Sequence, residues 1–236
     1  MALPIQATPT YTLKIPSSNK TVKFRPFLVK DEKALLIAQQ GEDLDVMINT
    51  LKAVVASCIL DQVDVNSLAI FDLEYIFSQI RAKSSGEISE LVFTCGACTE
   101  KDNSVKVQLD ISKIEVTKTP DHTNKITLFD DVGVMMKYPT IDILKKMEEG
   151  FDSIENIIDV VIDCVEIIFN SNEMFYTKEL SRKEVTEFVE NLTKDQFDKL
   201  ENFFATMPKY QKRVEFNCPA CGKHNSTMLE GIKSFF

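Results

Sequence analysis

The sequence predicts an α+β fold: a mainly helical body with small β-hairpins, in two pseudo-repeated halves joined at a zinc-ribbon-like four-cysteine site. Three observations lead there. Apolar residues recur at helical spacing over long stretches, as in Leu44, Ile48, Leu51, Val54, Val55 and Cys58. Short alternating stretches flank turn residues near the start and around two Cys-x-x-Cys units. The same landmarks also recur in order, with insertions of different length between them.

In the first half, Tyr11, Leu13 and Ile15 alternate with polar residues, Pro16-Ser17-Ser18-Asn19 turns, and Val22 and Phe24 alternate again, which predicts a hairpin. A helix is expected from Asp31, as N-cap, to Gln39, ended by Gly41. The Leu44–Ile59 helix follows. A third, capped by Ser67, carries Leu68, Phe71, Leu73, Ile76, Phe77 and Ile80, and Ser84-Ser85-Gly86 breaks it. Leu91-Val92-Phe93 reads as a strand entering Cys95-Gly96-Ala97-Cys98. Val105, Val107 and Leu109 form its return, so the first pair sits at a hairpin tip.

In the second half, Val134, Met136 and Tyr138 predict a strand ending at Pro139. A short helix from Ile141 to Glu149 stops at Gly150. Ser153 caps a long helix carrying Ile154, Ile157, Ile158, Val161, Ile162, Val165 and Ile168. The boxes Ser181-x-x-Glu184 and Thr193-x-x-Gln196 open two more, and Pro208 stops the second. Val214-Glu215-Phe216 is a strand entering Cys218-Pro219-Ala220-Cys221, with Met228 and Leu229 on its return. The expected division is 1–119 and 120–236, the two halves forming one compact unit.

Of the 236 residues 44% are hydrophobic, enough for a sizeable core, and 7 Gly and 8 Pro argue against a loop-rich chain. A net charge of −9 repels phosphate backbones, so nucleic acid is not an expected partner. The N-terminus has no basic patch followed by an apolar run, which reads as no signal peptide. The apolar stretch Ile154–Phe169 is broken by Asp159, Asp163 and Glu166, so no membrane span is expected. A soluble chain made in a cytoplasm keeps its thiols reduced, where paired cysteines lean toward metal.

Cys95, Cys98, Cys218 and Cys221 supply four soft thiolates, the donor set of one tetrahedral structural Zn2+. The wide separation is no thermodynamic obstacle, because closure entropy grows slowly with loop length. Three other readings stay open: unmetallated thiols, a dithiol redox pair and a catalytic zinc. Redox motifs of the thioredoxin type precede a helix, whereas strands flank both pairs here. A deaminase zinc site would need an upstream His-x-Glu, which is absent. His224, three residues after Cys221, reads as a surface or supporting side chain, with a ligand role as the alternative. Cys58 and Cys164 lie on apolar helix faces and read as packing residues. His122 falls in a polar loop.

No Walker loop, dinucleotide fingerprint, nucleophile elbow or His-Glu-x-x-His is present, so no enzyme is expected. Asp130-Asp131 and Glu148-Glu149 read as turn and helix-end charges. The terminal Phe235-Phe236 is expected to pack on the core, with docking into a partner as the alternative.

Phe24-Arg25-Pro26-Phe27, the helix start Lys30-Asp31-Glu32-Lys33, and the widely spaced Phe93-Thr94-Cys95-Gly96-Ala97-Cys98 and Phe216-Asn217-Cys218-Pro219-Ala220-Cys221 form a combination. It resembles the baseplate hub and hub-assembly proteins of T-even-type contractile-tailed bacteriophages, over most of the chain. The resemblance implies a non-enzymatic role in tail assembly, through contacts with other phage baseplate hub or tail proteins. It implies a host cytoplasm during assembly, and either a place in the virion baseplate or the part of a transient chaperone. It brings no catalytic residues. A zinc-ribbon adaptor of phage transcription or replication machinery is the rival reading.

Overall fold

Residues 7–41, 43–98, 102–143 and 153–231 are described by the computed structural model of the chain. The first elements are the strands β1 (Tyr11–Lys14) and β2 (Thr21–Phe24) and the helices α1 (Val29–Gln40), α2 (Leu44–Cys58) and α3 (Ile70–Ser85). The strands β3 (Ile88–Thr94), β4 (Ser104–Asp110), β5 (Val116–Thr117), β6 (Lys125–Phe129) and β7 (Val132–Met136) follow. Then come α4 (Ile154–Cys164), β8 (Val165–Phe169), β9 (Met174–Tyr176), α5 (Arg182–Glu190), α6 (Lys194–Thr206), β10 (Lys209–Asn217) and β11 (His224–Glu230).

The expectation of a mainly helical body is corrected. Beside six helices, the described residues form eleven strands in four sheets, every strand pair antiparallel. The fold is α+β with a large strand share. The chain packs as two compact units, one of Met1–Asn66, Phe71–Thr117 and Lys209–Phe236, the other of Ser67–Ile70 and Lys118–Pro208. Both Cys-x-x-Cys units fall in the first, so the four-cysteine site lies inside one unit and does not join two halves.

In the first unit the β1–β2 hairpin forms as its alternation requires, with Leu13, Val22 and Phe24 buried. The end of α2 is tied to it: Leu60 N–H donates to the Lys23 carbonyl and Arg25 N–H to that of Cys58. Leu28, not Asp31, stands at the N-cap of α1. Asp31 sits in the first turn, and its buried carboxylate accepts from Leu28 N–H, Arg25 Nη1 and Ser57 Oγ, so it closes the turn from inside. Ser67 ends a short 3-10 turn, and α3 begins only at Ile70. Leu73, Ile76, Phe77 and Ile80 give α3 a fully buried face. β10 pairs with β11 along its length and with β5 through Lys209 and Tyr210. Tyr210 is buried and its hydroxyl donates to Ser78 Oγ of α3.

The second unit is a β6-β7-β8-β9 meander with α4, α5 and α6. Leu128, Val134, Met136, Val161, Cys164, Val165, Val189, Leu200 and Phe203 belong to its core. Ser153, Ser181 and Thr193 cap their helices as read, the last two in full capping boxes. The long helix expected through Ile168 stops at Cys164. Val165–Phe169 is instead β8, because β7 supplies a ladder from Gly133↔Phe169 to Met136↔Val165. A continuous apolar run satisfies either period, and the strand partner decides it. Ile141–Ile143 form a 3-10 turn, and the rest of the helix expected to Glu149 lies outside the described residues, as does Phe235-Phe236. The elements do not repeat: residues 7–117 run strand pair, three helices, strands, while 118–231 interleave strands and helices in another order. No described helix is long and apolar enough to cross a membrane.

Candidate metal centre

Two antiparallel hairpins of the first unit deliver the cysteines. β3 hands the chain to Cys95 directly after Thr94, and β10 hands it to Cys218 directly after Asn217. In the first turn Cys95 N–H donates to the Asn103 carbonyl at 3.0 Å. Asn103 Nδ2 donates to the Cys98 carbonyl at 3.0 Å, so one asparagine holds both ends of the turn. In the second, Cys218 N–H donates to the Lys223 carbonyl and Gly222 N–H to that of Cys218, both at 2.9 Å. Gly222 closes this turn at φ +72°, a conformation that favours glycine. Phe93 and Phe216, each two residues before the first cysteine of its pair, stack with ring centroids 5.4 Å apart. That contact sets the two hairpin ends beside each other.

All four sulfurs lie within 4.8 Å of one another. Between the pairs, Cys98 and Cys218 are 3.7 Å apart and Cys95 and Cys221 4.0 Å. Four sulfurs at about 2.3 Å from a tetrahedral zinc would be roughly 3.8 Å apart. The four cysteines are therefore close enough to bind a metal ion. Cys95 and Cys218 are buried, Cys98 is half-buried and Cys221 is exposed, so the group sits just under the surface.

Ala97 N–H, 3.4 Å from Cys95 Sγ, is the main cause that draws this thiol down to about 6. Burial opposes the shift, and Cys218, Asn225 and the Cys98 N–H add to it. The shift favours the thiolate of Cys95, the form that ligates metals. A four-sulfur set fills a tetrahedral coordination sphere and keeps no position for water or substrate, the pattern of a structural site.

His224 stands outside this group. Its ring bonds Asn217 Oδ1 at 3.1 Å and approaches Glu215 at 4.0 Å. Cys58 and Cys164 are buried and do not belong to the sulfur group, Cys58 standing beside Ser57 with its thiol pushed up by burial. His122, in the second unit, is held between Thr206 Oγ1 at 3.0 Å and Tyr138 OH at 3.1 Å. Sequence reading missed Asn103 and Asn225, the latter 3.6 Å from Cys95 Sγ. Turn asparagines are too common to signal a role. The shared Phe-x-Cys spacing was the legible sign of the stacked pair.

The family model of the T4 bacteriophage base plate protein matches residues 8–236. The baseplate hub assembly protein gp26 of Enterobacteria phage T4 is 22% identical over 227 residues, which cover 96% of this chain and 97% of that protein. No solved structure matches the chain. Since the match runs over residues 8–236, nearly the whole chain, the chain belongs to the T4 bacteriophage base plate protein family.

Proposed function

We propose that Cys95, Cys98, Cys218 and Cys221 bind one structural zinc ion, and that the chain is a non-enzymatic baseplate hub assembly protein. It acts through contacts with other hub or tail proteins in the host cytoplasm. The observation that carries the metal reading is the sulfur spacing, 3.7 and 4.0 Å between pairs, against roughly 3.8 Å for a zinc tetrahedron. The family match and the name of the T4 relative support the assembly reading.

Metal analysis of the purified chain tests the first part. One zinc per chain is expected, and its loss in Cys218→Ser; a folded chain without zinc sinks it. Co-purification with tagged baseplate proteins from infected cells tests the second. Purified virions then separate its two versions: retention marks a hub subunit, and absence marks a transient assembly factor.

A further inference from the structure

One end of the sheet in the second unit is an apolar groove. It holds about 350 Å³, near the lower limit of the roughly 300–1,000 Å³ common in ligand clefts. Seven of its eight lining residues are apolar, among them Phe129, Val132, Phe169, Phe175, Leu180 and Phe188. The one polar lining residue is Asn170, whose Oδ1 already accepts from Asn172 N–H and Glu173 N–H. The Asn170 amide is the one lining side chain that could orient a small polar ligand. Bulky apolar side chains would find aromatic walls.

The groove residues Phe129 and Phe175 are 40% and 39% exposed, and beside Phe175 the apolar surface continues with Met174 at 56% and Tyr176 at 41%. Such contiguous exposure marks interaction surfaces. Met174–Tyr176 is β9, the last strand of the sheet, and among the described residues its outer edge pairs with no strand. An extended segment can add there through backbone hydrogen bonds.

Charge selects the kind of segment. Asp130 and Asp131 stand between Phe129 and Val132, and Glu173 stands beside Met174. Ser171 N–H donates to Asp131 Oδ2 at 2.9 Å, which joins the two turns at this end. No lysine or arginine is among the lining residues. Of the cations nearby, Lys125 and Lys178 lie over the Phe169 and Tyr176 rings, and Lys199 Nζ donates to the Thr127 and Leu128 carbonyls.

We infer that this groove docks an extended segment of a partner protein carrying two bulky apolar side chains next to lysine or arginine. The inference rests on the reading of the chain as a protein that works through contacts with other baseplate proteins.

The test applies the purified full chain to an array of short overlapping peptides covering the baseplate and tail proteins of its phage. Fluorescein-labelled copies of the bound peptides are then titrated by anisotropy at low and high salt. Bound peptides should combine bulky apolar residues with net positive charge. Phe175→Glu and the more exposed Met174→Glu should each weaken them at least about tenfold. Glu173→Lys should weaken them several-fold and flatten the salt dependence. Circular dichroism confirms that each variant is folded.

Acidic binders, or affinities indifferent to both Met174→Glu and Phe175→Glu, overturn the assignment. So does a chain that self-associates in sedimentation and loses this with Met174→Glu, since the occupant is then a second copy. An array without binders, while the chain still co-purifies with baseplate proteins, overturns the groove alone. Binders of the expected kind, without such co-purification, support the groove and overturn the assembly reading.

Discussion

Loss of the proposed metal should cost the first unit several kcal/mol, and the topology sets the size. An ion held by Cys98 and Cys218 bridges residues 120 apart in sequence. Chain-entropy arithmetic for a crosslink of that span gives about 5 kcal/mol at 25 °C. Part of this is redundant, because the β5–β10 ladder joins Thr117 to Lys209 without help from metal. If that ladder holds, the metal closes only the shorter path through it, about 30 residues, worth roughly 3.5 kcal/mol. The expected cost therefore lies between about 3.5 and 5 kcal/mol. At about 2–4 °C per kcal/mol for a chain of this size, the melting temperature should fall by about 7 °C or more.

The assay compares scanning calorimetry and zinc content for wild type, chelator-treated wild type, Cys218→Ser and Cys58→Ala. Cys58→Ala loses packing but should keep its zinc, since Cys58 lies outside the sulfur group. Hydrogen exchange should place the lost protection in β3, β4, β10 and β11, the strands that carry the turns. A melting temperature that moves by less than about 2 °C on complete zinc removal would refute the loop-closure reasoning. Undiminished zinc in Cys218→Ser would refute the ligand assignment.

Three further outcomes are expected. Asp31→Ala leaves Arg25, its 2.8 Å partner, half-buried without a counter-charge but still bonded to the Pro26 carbonyl and Ser57 Oγ, and should cost about 1–3 kcal/mol in urea unfolding. Burial alone would raise the Asp31 pKa, but Leu28 N–H, Arg25 and Ser57 outweigh it and hold it below 3.8. Its stabilisation is therefore present above the unfolded value and lost as pH falls through the folded one, so the variant should show a flatter acid limb in denaturation. Burial lowers the pKa of His122 below 6.5. Its contribution is complete above that value and lost as pH falls through the folded pKa, so urea midpoints should decline on acidification in wild type and less in His122→Gln. A methyl added at Gly133 would stand 2.4 Å from the Ile126 carbonyl oxygen and from Phe169 Cζ. Gly133→Ala should cost about 1–3 kcal/mol, measured by thermal melts.

Local chemistry made much of the helical content legible. Ser181 with Glu184, and Thr193 with Gln196, announce α5 and α6 because each box satisfies backbone donors within one turn. Asp31 was misplaced for a related reason: an acidic residue near a helix start serves equally as cap or as first-turn acceptor, and only Arg25 and Ser57, arriving from elsewhere, decide between them. The strands were harder. Val165–Phe169 continues a helical period until β7 claims it, and Met174–Tyr176 is too short to announce itself. β5 is two residues long and exists only because β10 lies beside it.

The four sulfurs were legible because thiol pairs at knuckle spacing are rare and specific, whereas the path that brings them together was not. Residues 118–208 of the second unit stand between β5 and β10, so the chain leaves the first unit at Thr117 and re-enters it at Lys209. Tyr210 is the anchor of that return. It pairs with Val116, and its buried hydroxyl donates to Ser78, with burial driving its own pKa to about 12. A tyrosine in a mixed-charge strand gives no hint of this in sequence, so the similar knuckles suggested two halves meeting as equals. The arrangement is instead one unit interrupted by another. The ladder at the point of re-entry and the cysteines at the far end of β10 close the same unit at two places.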